Sequence, residues 1–95
     1  MKYIKVKWIH DFADEPEWLY SELDDDLWET RKVELFHDGT TGFASSNETA
    51  GTTKLSLEPL PSLAQIASDS QFEPLEIDIQ EFEEVWSKRK ERQHL

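Results

Sequence analysis

The clearest alternation opens the chain. Ile4, Val6 and Trp8 are apolar where Lys5 and Lys7 are charged, so residues 3–10 read as a half-buried strand with one aliphatic face. His10 falls on the apolar side, at the strand's end. Residues 11–16 form a loop closed by Pro16, and residues 17–23 are a second strand with Trp18 and Tyr20 on one face and Leu19 and Leu23 on the other. Asp24, Asp25 and Asp26 predict a turn, because three adjacent carboxylates repel one another unless they are exposed. Residues 27–37 read as a longer strand with mixed faces, Trp28 and Phe36 against Leu27, Val33 and Leu35. Asp38-Gly39 then signals a hairpin that returns through residues 41–45. The polar stretch 46–52 predicts a flexible loop, and Leu55 and Leu57 resume alternation over residues 53–57.

Pro59 and Pro61 stop the sheet. Ser62 followed by Gln65 is a capping box for a short helix that buries Leu63, Ile66 and Ala67. Residues 72–77 have the makings of a short edge strand. The last helix carries the fullest set of local signals. Asp78 and Glu81 form a capping box, Ile77 and Phe82 a hydrophobic staple, and Phe82, Val85, Trp86 and Arg89 recur at helical spacing. Glu81, Glu83 and Glu84 sit at the positive end of the helix dipole, and Lys88, Arg89, Lys90 and Arg92 at the negative end. The pattern predicts an α+β fold: an antiparallel β-meander of four to five strands with two C-terminal helices packed on one face. Residues 1–95 are read as a single domain with a frayed tail over 90–95.

Ninety-five residues exclude a second core, a barrel enzyme or a full dinucleotide fold. With 37% hydrophobic residues, 12% aromatic and 4 Trp, the chain has the means to fold. It has no Cys, hence no disulfide framework or thiolate chemistry, and no apolar run long enough to span a membrane. A cytoplasmic location is the expectation. The formal net charge is -11, from 10 basic and 21 acidic residues. That balance opposes nucleic acid and anionic membrane surfaces as partners and favours a basic protein. Residues 11–29 carry nine carboxylates and no Lys or Arg, which makes this the most one-sided stretch of the chain.

Candidate chemistry is sparse. His10 beside Asp11 is the first candidate for a base or ligand, although neighbouring strand residues point to opposite faces. His37 lies beside the turn and His94 in the tail, and the three have no zinc-like spacing. The aspartate run lacks the alternating oxygens and glycine of a calcium loop, and the three glycines match no phosphate loop. No metal, no cofactor and no catalytic residue are expected. Trp8 and Trp86 belong to core patterns. If the strands flanking Asp24, Asp25 and Asp26 form a hairpin, Trp18, Tyr20 and Trp28 share an exposed face with those acids and Glu22, a patch suited to a basic protein partner. Arg31 and Lys32 point to opposite faces, one of them into an ion pair.

The strings Tyr3-Ile4-Lys5-Val6-Lys7-Trp8-Ile9-His10, Glu29-Thr30-Arg31-Lys32-Val33-Glu34, Gly51-Thr52-Thr53-Lys54-Leu55 and Glu81-Phe82-Glu83-Glu84-Val85-Trp86 together resemble a family of small uncharacterised bacterial proteins, a domain of unknown function. The resemblance implies an autonomous domain and draws attention to His10, Glu22, Arg31 and Lys32. It supplies no activity. Three readings follow: an acidic protein-binding module, such as an immunity or inhibitor protein; a small-ligand or hydrolytic domain centred on His10, Glu22 and Arg31; and a homodimer formed through an open sheet face.

Overall fold

The computed structural model describes residues 1–92. The strands are β1 (Lys2–Trp8), β2 (Pro16–Leu23), β3 (Glu29–Phe36), β4 (Thr41–Ser45), β5 (Thr49–Ala50) and β6 (Phe72–Ile77). The helices are α1 (Leu63–Ala67), which precedes β6, and α2 (Ile79–Ser87), which follows it. The strands build one antiparallel sheet in the order β5-β4-β3-β2-β1-β6. This is the expected α+β architecture, extended to six strands because β5 pairs with Phe43 and Ala44 and β6 adds to the free side of β1. Pro74 is tolerated in β6 because an edge strand has one unpaired side, and Glu73 and Glu76 beside it discourage further pairing.

Two apolar clusters lie on opposite faces. Tyr3, Tyr20, Val33 and Phe43 gather beneath Phe82 of α2, with Trp18, Leu35, Ile77, Val85 and Trp86 around them. Ile4, Val6 and Leu23 form the other cluster, covered by Leu27, Leu60, Phe72 and by Leu63 and Ile66 of α1. Tyr3 and Ile4 are adjacent in a strand, so their side chains project to opposite sides. The helices therefore divide between the two faces, where the sequence pattern predicts a single covered face. The mixed faces of β2 and β3 are the cause. They expose apolar groups on both sides of the sheet, and each side needs cover.

Helix α2 is the better seated. Asp78 Oδ1 accepts the Glu81 amide at 2.8 Å, as a cap should. The Glu81 carboxylate does not complete the box; it takes the Lys5 ammonium at 2.7 Å and ties the helix to β1. Phe82 is fully buried, stacked on Trp86 at 6.3 Å and tilted against Tyr3 at 5.4 Å. Arg89 lies 4.1 Å from the Trp86 ring and reaches Glu48 at 2.5 Å. Beyond the helix, the Arg92 carbonyl accepts the Thr41 amide at 2.5 Å, so the chain stays docked where fraying is expected from residue 90; His94 and its neighbours lie outside the described residues.

Helix α1 has its full capping box, Gln65 amide to Ser62 Oγ at 3.2 Å and Ser62 amide to Gln65 Oε1 at 2.9 Å. It nevertheless buries no residue fully: Leu63 and Ile66 are half-buried and Ala67 is exposed. Residues 53–57 are not a strand. They run as an extended strap, held by Thr53 Oγ1 donating to Glu34 at 2.6 Å and by the Ser56 amide donating to Glu29 at 2.7 Å. Leu57 is 91% exposed. Gly42 lets the strap approach, since a Cβ there would lie 2.1 Å from the Thr53 hydroxyl.

Candidate functional site

The residues expected to gather around His10, Glu22 and Arg31 form two separate groups. Glu22 and Arg31 are register partners across β2 and β3, and Glu22 faces Tyr3 across β1. Arg31 donates Nε to Glu22 Oε1 at 2.9 Å and Nη2 to Oε2 at 2.6 Å, a bidentate fork. Its Nη2 also reaches Glu83 of α2, and its guanidinium lies 4.9 Å from the Phe82 ring and 5.1 Å from Trp86. Thr30 Oγ1 adds a bond to Glu22 Oε1 at 2.7 Å. The Arg31 hydrogen bonds, helped by those from Thr30 and Tyr3, outweigh burial and pull the Glu22 pKa down to about 2. A carboxylate held ionised with both oxygens engaged does not shuttle protons at neutral pH. This network clamps α2 onto the sheet.

His10 lies near the Pro16 end of β2, about 20 Å along the strand from Glu22 at ordinary strand rise. Its Nε2 donates to the Pro16 carbonyl at 2.7 Å, while its Nδ1 accepts the Phe12 amide at 2.9 Å. Both ring nitrogens are thus employed in closing the β1–β2 loop. The ring stacks on Phe12 at 5.5 Å and meets Trp8 at 4.4 Å and His37 at 5.3 Å edge-on. Among the described residues no group of three or more His, Cys, Asp or Glu side chains is placed to hold a metal ion.

The expected aromatic face also divides. Trp18 and Tyr20 project to the α2 side of the sheet; Tyr20 is 9% exposed and Trp18 is half-buried, with the Lys5 and Lys7 ammonium groups 5.5 and 5.9 Å from its ring. Trp28 is 42% exposed and belongs to the β2–β3 turn, since β3 begins at Glu29 and not at Leu27. The physical reason is Leu27, whose φ of 68° breaks the strand alternation. Its side chain is drawn into the Ile4, Val6 and Leu23 cluster, and burial offsets the cost of the left-handed conformation.

What remains together is a compact acidic turn. Asp24 Oδ1 accepts the amides of Asp26 at 2.9 Å and Trp28 at 3.0 Å, and the Asp24 amide donates to the Trp28 carbonyl at 3.0 Å. The Leu60 amide donates to the Leu27 carbonyl at 2.9 Å, which lays the strap along the turn and brings Leu57 and Glu58 to the same end of the sheet. Asp25, Asp26 and Glu58 are exposed, and among the described residues no ion pair reaches any of them. Lys5, Arg31, Lys32 and Arg89 pair instead with glutamates of α2, the sheet and the β4–β5 turn. Leu57 and Glu58 escaped the sequence reading because Leu55 and Leu57 mimic strand alternation; the flanking Pro59 and Pro61 were the available signal against it.

Lys32 projects to the face opposite Arg31, as alternation predicts. Its ammonium has the Lys54 carbonyl at 3.4 Å, Glu29 at 3.7 Å and Glu34 at 3.9 Å.

A family model matches residues 2–91. The chain belongs to the family described as "Domain of unknown function (DUF6881)". The matched residues include both clusters, the acidic turn and α2. No curated protein and no solved structure matches the chain. Among the described residues no helix is long and apolar enough to cross a membrane.

Proposed function

We propose that this domain is an acidic, non-catalytic binding module of the bacterial cytoplasm that engages a basic protein through the β2–β3 turn and the adjoining strap. The observation that carries the reading is the half-exposed Trp28 on a hydrogen-bonded turn, with Asp25, Asp26 and Glu58 exposed at the same end. A rigid aromatic anchor with a charged rim is the usual composition of an interface hot spot. Unpaired carboxylates steer a basic partner and narrow the choice of partner more than they add affinity. An inhibitor or immunity role fits this surface, since such a protein needs a firm acidic contact and no chemistry of its own. Of the residues expected to take part, Asp24, Asp25, Asp26 and Trp28 stay; Trp18, Tyr20 and Glu22 leave, because α2 and the Arg31 fork occupy them.

The test is capture from the source cell with the wild-type domain, Trp28→Ala and Asp25→Lys/Asp26→Lys, each at low and moderate salt. The expected result is a stoichiometric basic protein held by the wild type, weakened by salt and lost by both variants. A partner retained by Trp28→Ala, or no partner at all, overturns the reading. Sedimentation across a concentration range shows whether the domain pairs with a second copy of itself instead.

A further inference from the structure

The face opposite α2 holds a cavity of about 380 Å³ between the sheet and α1. Ile4, Val6, Leu19, Ile66 and Phe72 form its walls; Ser21, Glu29 and Lys32 line it from the sheet, and Gln65 and Asp69 from α1 and the turn after it. It exists because α1 is short and stands off the sheet, with Leu63 and Ile66 only half-buried. A volume of this size with apolar walls and a few convergent polar groups suits a small organic molecule.

The polar end decides its chemistry. Glu29 is satisfied: Ser21 Oγ donates to one oxygen at 2.7 Å and the Ser56 amide to the other at 2.7 Å. Glu34 takes the Thr53 hydroxyl at 2.6 Å. Lys32 is not satisfied to the same degree. Its side chain is 17% exposed, and the nearest of the three oxygens around its ammonium is 3.4 Å away. An ammonium bond to oxygen normally closes to about 2.8 Å. Donor capacity is therefore in surplus at this end of the cavity and acceptor capacity is already used. The two carboxylates beside one ammonium leave the end with a net negative charge, which opposes an anionic ligand. A cationic ligand would have to displace the Ser21, Ser56 and Thr53 donors already seated on Glu29 and Glu34, and would lie against the Lys32 ammonium.

We propose that this cavity binds a neutral small molecule with an apolar body and one carbonyl acceptor, such as a ketone, ester or amide, with Lys32 Nζ donating to the carbonyl oxygen. The site is independent of the acidic turn, and neither reading depends on the other.

The probes are heptan-2-one, hexanoate and hexylamine, which share an alkyl body and differ in the polar end. Titration of each into the full chain is followed by the methyl NMR signals of Ile4, Val6, Leu19 and Ile66. Heptan-2-one is expected to shift these signals saturably in the millimolar range, and the two charged probes to bind at least several-fold more weakly. Lys32→Met keeps the stem and removes the donor, and is expected to weaken the ketone about tenfold. Ile66→Trp fills the space from the half-exposed helix and is expected to abolish the shifts while the circular dichroism stays that of the wild type. Absence of saturable shifts with heptan-2-one, hexanoate or hexylamine binding as tightly as the ketone, or unchanged ketone affinity in Lys32→Met overturns the proposal. Should Lys32→Met fail to fold, the order of the three probes and the Ile66→Trp result decide it.

Discussion

Replacing Glu22 by Gln removes the charge at the centre of the clamp and keeps its shape. Glu22 has a pKa of about 2 in the fold against an ordinary 4.5. Each unit of difference is worth about 1.4 kcal/mol, so the whole shift corresponds to roughly 3 kcal/mol. Arg31 and Glu83 are partly exposed, with side chains at 21% and 46%, and solvent screening brings the expected contribution to about 2 kcal/mol. In a domain of this size such a loss lowers the melting temperature by about 10 °C.

The pH dependence supplies the sharper check. The folded pKa lies below the unfolded one, so the stabilisation is complete above the unfolded value and fades as pH falls through the folded value. The gap between wild type and Glu22→Gln is therefore widest near neutrality. It shrinks between about pH 5 and pH 2 and is under half its neutral size by about pH 3. Other carboxylates titrate in both proteins and cancel in the difference. Urea unfolding followed by tryptophan fluorescence at several pH values measures the gap. A difference below about 0.5 kcal/mol at pH 7, the value of an ordinary surface pair, refutes the clamp. So does a gap that stays constant down to pH 3.

The other predictions concern packing and turns. Gly42→Ala drives a Cβ into the Thr53 hydroxyl and should cost about 1–3 kcal/mol in chemical denaturation; adding Thr53→Ala removes the obstruction, so the double variant should lose less than the two single losses combined. Phe82→Ala empties the centre of the α2 cluster and should cost about 3–5 kcal/mol, enough to unfold much of the population in a calorimetric or fluorescence melt. Asp24→Ala strips the acceptor from two turn amides and should cost about 1 kcal/mol by denaturation.

Local signals were legible where one stretch of chain decided the outcome. Asp78 and Ser62 cap their helices, Asp38-Gly39 makes its turn with Gly39 at φ 85°, and Tyr3 through Trp8 keeps its alternation. The hidden features depend on partners distant in sequence. Lys5 looks like a solvent-facing residue until Glu81 arrives 76 residues later. Trp18 and Tyr20 look available until α2 is placed over them. Leu27 looks like a strand residue, but the pull of the Ile4 cluster on its side chain wins over backbone preference. Strand alternation alone puts Arg31 and Lys32 on opposite faces; that the first meets a bidentate partner and the second does not depends on which side each helix covers.

That division of the two faces ties the architecture to its possible uses. On the α2 side, Arg31 joins Glu22 on the sheet to Glu83 on the helix, and Lys5 joins Glu81. Together they make a face with little spare polar capacity and no reason to open. On the α1 side, a five-residue helix and a proline-bounded strap cover the same sheet with Leu60, Leu63 and Ile66, all only half-buried. Cover of that kind excludes less water and leaves the cavity at Lys32. Local stability should follow the same division, because opening energies track buried apolar contact. Amides of β2 and β3 next to the clamp should then exchange with solvent most slowly, and those of α1 much faster. Equal protection on the two sides would mean that α1 packs as firmly as α2, and the cavity beneath it would lose its structural cause.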